Sequence, residues 1–208
     1  MVIGFIGAGT VAQTLARHLT GAGHQVWLTN SRGPESLSDT VDKLGPLAKA
    51  VSKKDLLEAD IVVLATHFIQ APQALEGLKW RGQILIDATN AHSTSPADLS
   101  PAGVKRSLEA LNGRTSSEIV AALVPGARLV KAISNMPMRW ISDFSKDKPK
   151  TVIFVSGDNQ AAKDKVVSLL DEIGFAGIDL GPLRTGGPLQ QLGGPLSAVN
   201  LHLVARLR

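Results

Sequence analysis

The 208-residue chain contains no cysteine. Disulfides, thiolate nucleophiles and zinc sites built on cysteine are thereby excluded, and the composition fits a reducing, cytoplasmic compartment. The amino terminus runs directly into the apolar MVIGFIGAG with no basic region or cleavage site, so a secretory leader is not expected. No apolar run approaches the roughly 20 residues of a membrane-spanning helix. Charge is sparse. Lys and Arg exceed Asp and Glu by 22 to 18, a net +4, and they are scattered rather than blocked. That pattern speaks against a nucleic-acid or membrane surface and fits at most a mild attraction for anionic cofactors. No grouping of His, Asp and Glu suggests a triad or a metal site.

What is present is a chain able to bury a core: 44% of residues are hydrophobic. Its 20 glycines point to tight turns or close backbone approach to a ligand. Short apolar runs alternate with helical periodicities. Strands are expected at Val2–Ile6, residues 24–29, 47–51, 61–65 and 83–87, Arg128–Ala132, and residues 151–156 and 177–180. Helices are expected at residues 10–20, 35–44, 55–59, 72–78, Ser116–Leu123 and residues 160–173. Residues 91–114 read as a polar, partly helical excursion. A Gly/Pro-rich stretch, residues 181–195, precedes an expected terminal helix over 196–207. Its apolar face would be Leu196, Val199, Leu203 and Leu207, packed on the chain's own sheet or, less favourably, on a second copy. Strands alternating with helices imply an α/β fold, a Rossmann-type doubly wound and mostly parallel sheet. The expected organisation is a single domain over 1–208, with 1–145 as the cofactor core and 146–208 as a short C-terminal α/β extension.

Gly7-Ala8-Gly9-Thr10-Val11-Ala12 fits G-x-G-x-x-G/A. It follows a strand and opens a helix, the context a dinucleotide site requires. Gly7 would make the tight turn, Gly9 would admit the pyrophosphate, and Ala12 would let the helix approach the sheet. N–H groups at the helix start, from Thr10 and Val11, would meet the phosphates. The second strand ends in Asn30-Ser31-Arg32-Gly33-Pro34. NAD-binding proteins place a carboxylate there to hold both ribose hydroxyls. Ser31 instead offers a hydroxyl, and Arg32 a planar cation that can pair with a 2′-phosphate and stack on adenine. NADP(H) is therefore expected rather than NAD. Thr66, His67 and Asn90 follow the fourth and fifth strands, where carboxyl ends line the ligand crevice. Thr66, His67 and Asn90 are candidate cofactor contacts; His67 is also a weak candidate for a proton donor, though a lone loop histidine is more often structural or solvated, and Asn90 could equally cap a turn. Asp87, inside its strand, reads as structural.

Together, GFIGAGTVA, TNSRGP and VKAISN resemble the family of NADP oxidoreductases dependent on the deazaflavin coenzyme F420. A related domain occurs in the cytosolic half of six-transmembrane metalloreductases. The resemblance implies that the nicotinamide lies near the residues after the sixth strand, so that Ile133, Asn135 and Met136 would line the second-substrate site. The common family pattern there is Phe-Asn-Thr, where this chain has Ile133-Ser134-Asn135-Met136. Met136, Pro137, Met138 and Trp140 could supply an apolar platform, or could simply be packing residues. The activity implied is hydride transfer between NADPH and a deazaflavin or flavin-type acceptor, by a homodimer. Two alternatives remain. One is a non-enzymatic NADP(H) sensor or interaction module. The other is a reductase of a small carbonyl or imine substrate whose site a partner chain completes, because little sequence remains after the last strand to build one.

Overall fold

The computed structural model describes residues 1–94, 97–134, 136–142 and 149–205. Five short runs are buried on every residue or nearly so: β1 (Val2–Ile6), β4 (Ile61–Leu64), β5 (Ile84–Asp87), β6 (Arg128–Ala132) and the middle of β7 (Lys150–Gly157). Strands that are apolar on both faces need cover on both faces, which is the condition a parallel sheet sandwiched by helices satisfies. With β2 (Gln25–Thr29) and β3 (Ala48–Ala50), they form a sheet in the order β3-β2-β1-β4-β5-β6-β7-β8, where β8 is Ala176–Asp179. The first six run parallel in the Rossmann order, with the switch point between β1 and β4. β7 turns antiparallel to β6, and β8 returns parallel to β7.

Alternation along each strand divides the core. Ile3, Phe5, Ile61, Val63, Ile84 and Ile86 face the helices α1 (Thr10–Gly21) and α6 (Gln160–Glu172). Val62, Leu64, Leu85 and Leu129 face the 3-10 turn Asp55–Glu58 and the helices α3 (Ala71–Leu75), α5 (Ser116–Leu123) and α7 (Leu183–Gln190). The remaining helices are α2 (Ser38–Leu44), entered through a 3-10 turn at Pro34–Leu37, and α4 (Pro101–Glu109), which is the helical part of the polar excursion.

Two expectations for the carboxyl-terminal part are corrected. The glycine- and proline-rich stretch holds a helix, α7, despite Gly186, Gly187 and Pro188 within it. The expected terminal helix is absent from its described residues. Ala198 sits at φ 56 and breaks any helical run. The chain then extends as β9 (His202–Leu203), antiparallel to the start of β7, where Val152 N–H also donates to Leu201 O at 2.8 Å. Leu196 and Leu203 still pack on the chain's own sheet, against Val152, Phe154 and Ala176, while Leu207 lies outside the described residues.

Candidate functional site

The turn after β1 is built for a tight reversal. Gly7 has φ 103, and a Cβ there would lie 2.5 Å from Ala65 O. A side chain would thus meet both a disfavoured backbone region and the adjoining strand end. Gly9 caps α1 without a side-chain hydrogen bond, and no atom lies within 4 Å of where its Cβ would stand. Space is open there for a group to approach the backbone. The first N–H groups of α1 have no helical acceptors, and its first turn carries no acid, so the helix end presents positive potential to an anion. Gln13 Nε2 donates to Ala8 O at 2.8 Å and steadies the loop. Thr10 is exposed, Val11 is half-buried against the core, and Ala12 is fully buried against the sheet.

After β2, Asn30 shapes the loop with its own side chain. Its Oδ1 accepts from Arg32 N–H at 2.9 Å, and its Nδ2 donates to Ser36 Oγ at 2.9 Å. Ser36 Oγ in turn donates to Gly33 O at 2.7 Å. Asn30 is therefore a fastener, and it leaves Ser31 and Arg32 exposed at the loop's tip. Glu35 is the one acid in this segment, and it sits beyond Gly33 in the following 3-10 turn.

The carboxyl ends of β4, β5 and β6 bring together a second group of residues. Thr66 Oγ1, Asn90 Oδ1, His92 Nδ1 and Ser134 Oγ are buried polar atoms without a hydrogen-bond partner. Orphaned polar atoms of this kind are rare and costly unless something else meets them. Asn90 Nδ2 donates to Ser134 O at 2.5 Å, tying the loop after β5 to the loop after β6. His67 is exposed. His92, whose N–H donates to Asn90 O at 2.7 Å, lies in the same loop after β5. Burial pushes its imidazole below the ordinary 6.5, and a charge on His67 adds to that, so His92 is held neutral at neutral pH. Sequence reasoning missed His92, which lies two positions after Asn90 at the start of a polar stretch with no periodicity. Its closeness to the end of β5 was the available signal.

Ile133, at the end of β6, is buried with φ 64, an unusual conformation for a β-branched residue. Met136 is buried within the core around α1 rather than laid open. Asn135 lies outside the described residues. Met138 and Trp140 are half-buried in the 3-10 turn Met138–Trp140, which packs on α1, with Arg139 over the Trp140 ring at 5.7 Å. His18 Nε2 meets Ile141 O at 2.5 Å and anchors that turn to the helix. The structure thus brings Gly7, Gly9, Thr66, Asn90 and Ser134 around the switch point and its neighbouring strand ends. Among the described residues no group of three or more His, Asp and Glu could hold a metal ion, and no helix is long and apolar enough to cross a membrane.

Comparison with known proteins agrees with this layout. Residues 2–91 match the family described as NADP oxidoreductase, coenzyme F420-dependent. The chain is similar to a hypothetical protein of Sinorhizobium meliloti, at 38% identity, covering 98% of this chain and 96% of that one with a TM-score of 0.86. It is also similar to a protein of Arthrobacter sp. FB24 assigned as an F420-dependent NADP reductase. That match has 25% identity and covers 88% and 84% of the two chains with a TM-score of 0.65. Among curated proteins, metalloreductase STEAP3 of Rattus norvegicus is 24% identical over 91% of this chain. The chain spans about a third of that relative's length, 36%. Family and neighbours support an NADP-dependent oxidoreductase.

Proposed function

We propose, on the match of residues 2–91 to the family of coenzyme F420-dependent NADP oxidoreductases, that the chain transfers hydride between NADP(H) and a deazaflavin or flavin-type acceptor. The observation that carries this reading is the coincidence of two features at one switch point. One is the open, uncapped start of α1 beside Gly9. The other is the set of orphaned polar atoms on Thr66, Asn90, His92 and Ser134 at the neighbouring strand ends.

A nicotinamide cofactor, when bound, supplies the hydride at its ring C4. The chain's own residues bind and orient. N–H groups of Gly9, Thr10 and Val11 hold the pyrophosphate. Ser31 and Arg32 hold the 2′-phosphate, with Asn30 keeping their loop in shape. Thr66, Asn90 and Ser134 present donors and acceptors to the nicotinamide amide, and Ile133, at the end of β6, borders the acceptor. His67, exposed after β4, and His92, half-buried after β5, are the groups proposed to bring a proton to the acceptor. No side chain has to form a covalent bond. The protein must hold two rings about 3–3.5 Å apart and exclude water.

The test is to mix the protein with NADPH and, in turn, the deazaflavin, FMN, FAD, riboflavin, a quinone and a ferric chelate. Loss of reduced-nicotinamide absorbance is expected with the deazaflavin or a flavin. Turnover with the quinone or chelate alone would replace the acceptor class. NADPH binding without turnover on any acceptor would overturn the enzymatic reading and leave an NADP(H)-binding sensor.

A further inference from the structure

The sheet carries buried charge where a parallel sheet ordinarily carries none. β5 reads Ile-Leu-Ile-Asp and β6 reads Arg-Leu-Val-Lys-Ala, each apolar in its interior with an ionisable residue near its carboxyl end. Parallel register sets Asp87 opposite Lys131, and antiparallel register sets Ser156 of β7 opposite Lys131. The three form one row on the face covered by α5 and α7, and each is 0% exposed.

The row is fully engaged on that face. Asp87 Oδ2 accepts from Ser117 Oγ of α5 at 2.5 Å. Gln190 of α7 donates through Nε2 to Ser156 Oγ at 2.7 Å. An ion pair kept only for stability gains little, since apolar residues of similar volume hold a core as well or better. The geometry gives this pair another use. Asp87 and Lys131 stand 3.9 Å apart, whereas both reach closer to a single residue, Thr89, the second position beyond β5. Asp87 Oδ1 accepts from Thr89 N–H at 3.0 Å and from Thr89 Oγ1 at 2.7 Å. Lys131 Nζ donates to Thr89 O at 3.2 Å. Both backbone polar groups of Thr89 are thus held by buried charges. The next residue, Asn90, donates to Ser134 O, and Ser134 follows Ile133 at its left-handed φ.

We propose that the buried Asp87–Lys131 pair is a positioning device, which fixes Thr89 and, through Asn90, holds residues 133–134 in the conformation that receives the nicotinamide. Asp87, Lys131 and Thr89 act through Asn90 and Ser134 and are positioning residues. The proposal rests on the reading of the crevice as a nicotinamide site.

Amide hydrogen exchange on the ligand-free protein tests the device without reference to any ligand, and kinetics test its consequence. In the paired replacement Asp87→Leu with Lys131→Met, the sheet keeps its protection. Exchange at residues 90–92 and 134 is expected to rise roughly ten- to hundredfold, with a comparable fall in kcat and little change in NADPH affinity, because misplacement by about an ångström costs that much. Thr89→Val is the milder variant and removes only the hydroxyl. It should show the same local rise to a lesser degree, and Thr89→Ser should restore it. Wild-type exchange at residues 90–92 in a folded paired variant would overturn the proposal. So would protection lost evenly over the whole sheet in both the paired variant and Thr89→Val, which marks a merely structural role. If the wild-type protein turns over NADPH with none of the acceptors tested, the reading of function fails, while the exchange comparison still decides the device.

Discussion

Arg32 stands free at the tip of the loop after β2 because Asn30 and Ser36 take up the loop's internal hydrogen bonds. Its guanidinium is available to a phosphate on the adenosine ribose. Arg32→Asp should weaken NADPH binding by about 1–3 kcal/mol, the scale of a lost charged hydrogen bond, and weaken NADH binding much less. Equal losses for the two, measured by fluorescence titration, would remove Arg32 from the site. His18 gives a second prediction at this scale. Burial lowers its pKa below 6.5 and outweighs the opposing hydrogen bonds to the Ile141 and Ile173 backbone. As pH falls, the unfolded chain is therefore protonated before the native one. The stability His18 contributes is complete above its ordinary value and is lost as pH falls toward the depressed native one. Thermal melts across the range from about pH 7.5 to 5.5 should show a falling midpoint, and His18→Gln should flatten that fall. Gly7, Gly9, Ser31 and Arg32 could be singled out in the sequence as candidates because each sits at a fixed offset from a strand end. His92 and the left-handed backbone of Ile133 could not, because they come from loops that meet only in three dimensions.

Helix α7 shows where local preference yields to packing. Leu-Arg-Thr-Gly-Gly-Pro-Leu-Gln reads as a loop, since glycine and proline are the poorest helix formers. The same glycines let the helix backbone lie close to its neighbours. A Cβ on Gly186 would come 2.7 Å from Leu180 O, and one on Gly187 would be 3.4 Å from Thr115. Their value lies in the close approach, which no period in the sequence announces. Gly186→Ala, a favourable change by helix propensity, should therefore lower stability by about 1–3 kcal/mol through overpacking, read as a reduced denaturation midpoint. An unchanged or raised midpoint would show that α7 can shift without loss. The terminal segment erred in the opposite direction. Leu196, Val199 and Leu203 carry a helical spacing, but the chain gains more by supplying β9 to the start of β7, and Ala198 turns it out of any helix. The strands, by contrast, were read nearly residue for residue, because runs buried on both faces and bounded by glycine have few other solutions.

For the molecule as a whole, the order β3-β2-β1-β4-β5-β6 places one switch point, and the residues proposed to hold the cofactor lie in the loops at the carboxyl ends of these strands. The doubly wound, mostly parallel class was legible because short apolar runs alternate with helical segments along the chain. The acceptor was not, because it is set by side chains at loop ends and not by the topology. We propose that the chain works as a homodimer, and gel filtration should return about twice the 21.9 kDa chain mass. A monomer mass would end that proposal without touching the cofactor site. The Gly7–Gly9 turn and the Ser31–Arg32 loop are together proposed to select the phosphorylated dinucleotide. The most direct test of that selection is a calorimetric titration of the wild-type protein with NADPH and with NADH under one salt condition. NADPH is expected to bind roughly ten- to a hundredfold tighter, the ratio that one charge-assisted phosphate contact supplies. Equal affinities, or no binding of either, would contradict it.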